Sequence, residues 1–451
     1  CFLEDTITQQ VALNCNNSRI CNSNATMLKQ MWRILVTLYS QHTPTIQTMK
    51  LNKLTRFTAL SAALVGSASF AVSNDALLDL LVQKGVLTET EATNVAAELE
   101  KDQPVFVTAK SKAIKGIKLT GRVHFQYDNI SNDFNDTTQE GFYFRRLYLG
   151  AETKFSDDWY GKLIANFGGQ DGDAVIDSAL VGWDAHEMAD LQFGYQKVPF
   201  GYYETTSSSK IKTVERSIAN RYFIEDDGVD FGGRFAGIFA NGDLGDSGFS
   251  YKAAIAGSLE GTDRKDKLQN DNDQGLAIFG RLQWKSEKSD MGQLLLGVDA
   301  GTKKDGARTE AGNGDMFAYG IHANYSLEGF NLSGEILGTT IDDTTAGDVD
   351  VFGFTATPSY KINDKWEVVA AYSYIETDGA NLLDADDLVR RSGLSGEKFS
   401  EGESYYIGFN YYILGNDLKL SGGYENASFE SENGADEAEF DAFRMRLQML
   451  F

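Results

Sequence analysis

Twelve basic residues stand out by position: Lys118, Arg122, Arg146, Lys162, Arg234, Lys252, Arg281, Lys285, Lys361, Lys419, Arg444 and Arg446. Each falls on the polar side of a segment whose apolar residues recur at every second place. Six acids, Asp128, Glu152, Asp299, Glu335, Glu367 and Glu425, fall on the same side. Rings of Lys or Arg around a narrow passage select anions, whereas charges of both signs can simply pair and keep a passage wet. The excess of basic groups favours anions, and pairing stays open as the alternative. Because the period is two, a slip of one residue would invert any single assignment, so the tally carries more weight than its members.

Enzyme chemistry has no comparable footing. There is no GxSxG elbow, no HExxH pair and no CxxC pair. His124, His186 and His322 sit in different strands or turns, and their spacing supports no Ser-His-Asp set. They read as ordinary lumen or turn residues, with neither enzyme activity nor a cofactor expected. Asp171-Gly172-Asp173 and Asp271-Asn272-Asp273 lack the full carboxylate spacing of a calcium loop, so no metal site is expected and solvated loops are the better reading.

The elements that must position these charges follow from composition and period. The chain has 451 residues, with 45 Gly, 4 Pro and 3 Cys. A formal charge of -24 argues against a nucleic-acid partner, which would demand a basic face. No run of 18 apolar residues occurs, which excludes spanning helices but leaves spanning strands of about 9–11 alternating residues.

Met49, Lys50, Lys53 and Arg56 begin a stretch that reads as a secretory signal over 49–71. An apolar run from Phe57 to Val65 follows, then small residues suited to a cut after Ala71. Residues 1–48 hold all three cysteines and read as an upstream extension that the mature protein lacks. Removing residues 1–71 takes away 6 basic and 2 acidic groups and leaves 35 against 63, a net charge of -28. Residues 72–103 read as a short periplasmic helical segment. Leu77, Leu78, Leu81 and Val82 recur at helical spacing before Gly85, and Thr88-Glu89-Thr90-Glu91 resembles a capping box. Residues 104–116 read as a linker.

Over 117–451 the period is two throughout. Ile117, Leu119, Val123, Phe125 and Tyr127 alternate with Lys118, Thr120, Arg122, His124 and Gln126. Phe443, Met445, Leu447, Met449 and Phe451 alternate with Arg444, Arg446 and Gln448. Fourteen further segments lie between, so the expected fold class is all-β, a sixteen-stranded antiparallel transmembrane β-barrel behind a short helical periplasmic segment. Short turns such as Asn363-Asp364 and Gly415-Asn416 alternate with long connections at 201–228, 260–273 and 378–402. That alternation suits tight turns at one end of a barrel and long loops at the other. Most of the acidic excess falls in loops, as in Asp342-Asp343, Asp384 to Asp387 and Glu430 to Glu439.

Phe144-Arg145-Arg146-Leu147-Tyr148-Leu149-Gly150-Ala151-Glu152, Asp157-Asp158-Trp159-Tyr160-Gly161-Lys162-Leu163, Phe193 to Phe200 with its Lys197-Val198-Pro199-Phe200, and Glu204 through Val214-Glu215-Arg216-Ser217 together resemble the phosphate-selective porin O and P family. The resemblance implies a homotrimer of sixteen-stranded barrels in the outer membrane of a Gram-negative-type bacterium. It also implies a third outer loop folded into the lumen, here 201–228, in which Lys210, Lys212, Arg216 and Arg221 are the cationic candidates. Glu204, Glu215 and Glu225 to Asp227 dilute them, and a bridge from Glu215 and Arg216 to the barrel wall is the alternative to solute contact. The partners then expected are small anionic solutes, membrane lipid and lipopolysaccharide, and the barrel assembly machinery, for which Phe451 is the terminal signal.

The processing expectation has a direct check. Mass spectrometry of the protein from outer membranes should place the mature N-terminus at or near Val72, and a peptide from 1–48 in that fraction would sink the idea.

Overall fold

A computed structural model of the chain describes residues 114–168, 174–224, 229, 231–257, 275–303, 316–341, 348–378, 380–394, 396–432, 434 and 436–451. The expected extension 1–48, signal 49–71, helical segment 72–103 and nearly all of the linker 104–116 lie outside the described residues, as does the loop 260–273.

The alternating segments become strands β1 (Gly116–Asn132), β2 (Thr138–Lys154), β3 (Trp159–Asn166), β4 (Val175–His186), β5 (Ala189–Lys197), β6 (Arg234–Asp243), β7 (Phe249–Gly257) and β8 (Leu276–Lys285). They continue with β9 (Gln293–Lys303), β10 (Met316–Leu327), β11 (Phe330–Ile341), β12 (Val349–Lys361), β13 (Trp366–Thr377), a two-residue hairpin β14 (Leu383–Asp384) and β15 (Lys398–Phe399), then β16 (Glu401–Leu414), β17 (Leu418–Glu430) and β18 (Glu437–Leu450). Apart from the small hairpin, each strand pairs antiparallel with its neighbours, and β18 pairs with β1 to close a sixteen-stranded barrel. Closure leaves no backbone edge without a partner, which is the condition for strands in hydrocarbon.

The register shows how period two sorts the faces. Across the closing pair, Gln126 meets Arg446 and Asp128 meets Arg444 on the inside, while Phe125 meets Leu447 and Tyr127 meets Met445 on the outside. Leu149, Leu163, Ile255, Val298 and Ile407 are among the exposed apolar residues of the outer face. Aromatic pairs such as Trp159 with Trp183 and Trp366 with Tyr411 sit on that face, with ring centres 5.5 and 4.6 Å apart.

Short turns (187–188, 328–329, 415–417) share one end of the barrel with the start of β1 and the end of β18, and the long connections stand at the other. The inner face differs between those ends. Polar residues line it from the short-turn end to mid-height, as expected. Nearer the long loops it turns apolar: Ile130, Phe235, Phe279, Val351, Ile375, Phe429 and Phe440 all join one buried cluster. The period of two persists there, but its inward positions are apolar. Two loops fold inward and need apolar walls to pack against.

One of them is 198–233, with helices α1 (Tyr202–Thr205) and α2 (Ile218–Ile224); its Phe200, Ile218, Tyr222 and Phe223 are buried in the cluster. The other is 378–400, with β14, helix α3 (Ala385–Val389) and β15, contributing Leu383, Leu388, Val389 and Phe399. Its acidic stretch is therefore not a solvated outer loop. Asp384 caps α3, accepting from the Asp386 N–H at 2.9 Å, and Asp386 accepts from the Ser392 hydroxyl at 2.8 Å.

At the seam, Gly121 N–H donates to the Phe451 carbonyl at 2.7 Å and Phe451 N–H returns a bond to the Gly121 carbonyl at 3.2 Å. The Phe451 ring lies flat over Gly121, where a Cβ would come within 2.1 Å of it. Deleting Phe451 removes both bonds and this contact. Heat-modifiable, folded protein in the outer membrane should fall sharply, and wild-type levels would count against a role for this residue in closure.

Candidate functional site

The inward loop 198–233 crosses the lumen and is fastened to strands all around it. Gly201, at φ 73°, makes the turn into α1 in a conformation that a side chain would disfavour. Its N–H donates to Asp299 of β9 at 3.0 Å. The next two N–H groups, of Tyr202 and Tyr203, donate to Glu335 of β11 at 2.6 and 3.3 Å, and Asn220 donates to the other oxygen of that carboxylate at 3.0 Å. Arg122 of β1 donates to the hydroxyls of Ser208 and Ser207 at 2.6 and 3.1 Å. Lys419 of β17 donates to the carbonyls of Ser209 and Ile211. Lys212 pairs with Glu367 of β13. Glu215 receives Gln126 of β1 at 3.1 Å, Arg145 of β2 at 3.0 Å and Arg446 of β18.

Two cavities flank this loop. The larger, about 390 Å³, lies on the β1–β6 side, and the smaller, about 270 Å³, on the side of β10–β13, β16 and β17. Hydroxyls and amides dominate the smaller, including those of Tyr202, Tyr203, Asn324 and Thr355. Nine basic groups line the larger against three acids, Asp177, Glu204 and Glu215.

The expected basic residues divide accordingly. Arg122, Arg146, Lys162, Arg216, Arg221 and Arg234 line the larger cavity, and Lys210 and Lys212 the smaller. The Lys210 side chain has no hydrogen-bond or ion-pair partner among the described residues, and Arg146 has one buried guanidinium nitrogen, Nη1, without a partner. Arg281, Arg444 and Arg446 face inward but are consumed by buried ion pairs with Asp299, Glu425 and Glu215. Lys162 sits 3.6 Å from Glu152, and Arg234 sits 2.6 Å from Asp177. Lys118 stands across from Glu152 in register and Lys252 across from another cation, Arg281, while Lys285 lies at the exposed short-turn end of β8. Lys361 lies over the Tyr412 ring, 5.4 Å from its centre. Pairing thus claims much of the inward set, and the tally of twelve against six overstated the excess available to a solute. The bridge expected from Glu215 and Arg216 is also divided. Glu215 alone reaches the wall, while Arg216 stays within the loop at 3.1 Å from Glu204.

Three lining cations escaped the sequence reading. Arg145 occupies a β-bulge: His124 pairs with Arg146, but Phe125 pairs with Phe144, so Arg145 is the extra residue and turns inward beside Arg146. A second bulge, where Ile164 pairs with Ser178 and Ala165 with Ile176, turns Asp177 inward in the same way. Lys197, at the end of β5, pairs with Glu204, and Arg390 comes from the loop 378–400. The Arg145-Arg146 and Arg390-Arg391 doublets were the available signals.

Comparison with known proteins agrees with this geometry. The family model "Phosphate-selective porin O and P" matches residues 117–451. The chain belongs to the phosphate-selective porin O and P family. Its barrel is an outer-membrane barrel of the porin class, and the inward loop 198–233 is the third of its outer loops. Solved structures share the fold at low identity. An anion-selective porin from Comamonas acidovorans has a TM-score of 0.54 at 13% identity, over 74% of this chain and 99% of that one. The outer-membrane channel DcaP of Acinetobacter baumannii has a TM-score of 0.53 at 14% identity, over 77% and 100%. Pseudomonas putida OprB has a TM-score of 0.54 at 11% identity, over 80% and 97%. An uncharacterized protein of Aquifex aeolicus (strain VF5) is 28% identical over 179 residues, 35% of this chain and 41% of that protein, so the match spans about two fifths of that relative's length.

Within the porin's third loop, two carboxylates carry the docking. Burial opposes ionisation of Glu204, yet Arg216, Lys197 and Arg234 outweigh it and hold the carboxyl at about 2, below its ordinary 4.5. Burial opposes ionisation of Glu215 as well, and Arg145, Arg446 and Arg146 hold it well below that ordinary value. A depressed carboxyl lends stability that is complete above its unfolded pKa and is lost as pH falls through its folded one. The third loop should therefore stay docked at pH 5 and above and loosen progressively from about pH 4.5 towards 2. Amide hydrogen exchange over 202–217 measures this, and unchanged protection at about pH 2 would separate docking from these carboxylates.

Proposed function

We propose that this chain forms a water-filled outer-membrane pore for passive diffusion of small solutes and that the pore prefers anions, phosphate and other inorganic or organic anions among them. The observation that carries this reading is the wall of the larger cavity, with nine basic groups against three acids. All three acids are already engaged, Asp177 by Arg234, Glu204 by Lys197 and Arg216, and Glu215 by Arg145 and Arg446. What remains for a passing solute is positive. The chain's overall charge of -24 does not oppose this, because loop charges act through water and are screened beyond about 8–10 Å. Cations in a narrow passage act through low-dielectric walls that concentrate their field.

The family's name and the anion-selective porin from Comamonas acidovorans support the same preference. The family also supports a homotrimer seated in lipid and lipopolysaccharide, with Phe451 read by the assembly machinery. A second reading, a surface-interaction barrel with a plugged lumen, is favoured by one observation. Both inward loops bury apolar side chains in a single cluster across the outer half of the lumen.

Planar-bilayer recording decides between them. An open current with an anion-selective reversal potential in a potassium chloride gradient is the expected outcome. Replacing Arg146, Lys210 and Arg216 together with Ala should move that potential towards cations. Silence would favour the plugged barrel, and cation selectivity of the unaltered pore would favour a general or cation-preferring porin.

A further inference from the structure

We propose that the loop 378–400 is a second lumen-lining element and that Arg390, carried at its inward turn, is a selectivity-determining residue at the outer end of the basic cavity. This deepens the anion reading above and rests on it for the sign of the selectivity.

The loop is built to hold that turn in place. Leu383 pairs with Phe399 across the β14–β15 hairpin, and the Phe399 ring packs on Phe429 at 5.8 Å, which in turn meets Phe440 at 5.6 Å. Asp386 accepts from the Ser392 hydroxyl at 2.8 Å and from the Gly393 N–H at 3.1 Å, closing the turn that follows α3. The backbone on both sides of the turn is tied to the barrel wall. Arg444 of β18 donates to the Val389 carbonyl, and Asn132 of β1 donates to the Ser392 carbonyl at 2.7 Å.

Between those two ties lie the only successive non-glycine residues with positive φ among the described residues, Arg390 at 42° and Arg391 at 62°. Positive φ is disfavoured for a residue with a side chain, and it persists only where the surroundings impose it. Glycine would meet the conformation without that cost. The two strained positions instead carry long cations. The Arg391 guanidinium lies over the Tyr143 ring, 4.2 Å from its centre. Arg390 reaches the wall of the larger cavity, which it shares with Arg146 and Arg221. The seventh loop thus adds a cation to those that the strands and the third loop set around this cavity.

A charge series at this position tests the assignment: Arg390→Lys, Arg390→Gln and Arg390→Glu in the full chain, with folding checked by heat-modifiable mobility. The ratio of anion to cation permeability should stay near the wild-type value in the Lys variant, fall about twofold in the Gln variant and fall further in the Glu variant. An order that follows charge supports the proposal. A Lys variant that behaves like Gln would assign Arg390 a purely structural role through guanidinium geometry and overturn it, as would Gln and Glu variants equal to wild type. If the Glu variant does not fold, the Lys and Gln pair decides. The wild-type reversal potential judges the anion reading separately. A cation-selective wild type whose selectivity still follows the charge at 390 would refute that reading and leave the place of Arg390 intact.

Discussion

One loop carboxylate holds the arrangement together. Glu215 accepts from Gln126, Arg145 and Arg446, which belong to the first, second and last strands of the barrel. The loop that narrows the lumen is thus tied across the seam at which the barrel closes. The three donors converge only when β1 and β18 are paired, so docking of the loop and closure of the wall reinforce one another. The interaction is consequential in energy as well. Stripping one partner from a buried ion pair costs about 3–5 kcal/mol, chiefly because the other charge is left without compensation. Here the stranded charges would be two guanidiniums sharing one site.

The same economy of charge organises the rest of the lumen. A buried guanidinium needs a carboxylate or several neutral acceptors, and the inward arginines of the wall show both solutions. Arg281 and Arg444 take carboxylates and become part of the wall. Arg122 takes two serine hydroxyls, which engage both of its terminal nitrogens without cancelling its charge. Lys419 takes two backbone carbonyls to the same effect. Of these two, Arg122 lines the larger cavity and adds to its excess of basic groups over acids. Serine in the third loop, at Ser207 and Ser208, matters for that reason: it holds the loop to a cation while leaving the field in place.

Much of the fold was legible in the sequence, because a barrel wall is specified by alternation. Sixteen strands, closure of the last on the first, and long loops at one end all follow from the period of two and the spacing of turns. The site was legible only in part. Arg122, Arg146 and Arg216 were found from the alternating pattern or the loop, but whether an inward arginine is paired depends on residues far off in sequence. Arg446 and Glu215 are 231 positions apart. Alternation also misplaces any residue in a bulge, as with Arg145 and Asp177. The loop 378–400 reads as acidic and solvated, since nothing local reveals that Asp384 and Asp386 serve its own backbone. Its Leu383, Leu388 and Val389 were the available hint that it turns inward.

The bulge at Arg145 gives β2 two phases. Before it, Phe142 and Phe144 face lipid and Tyr143 faces water; after it, Leu147 and Leu149 face lipid and Arg146 and Tyr148 face water. Adding a single residue between the two halves is what lets them share one wall. Losing that residue would not merely delete a charge. It would exchange the wet and greasy sides of everything from Thr138 to Phe144, placing Phe142 in the lumen and Tyr143 against acyl chains. In this strand a one-residue change of length is a harsher event than almost any change of identity.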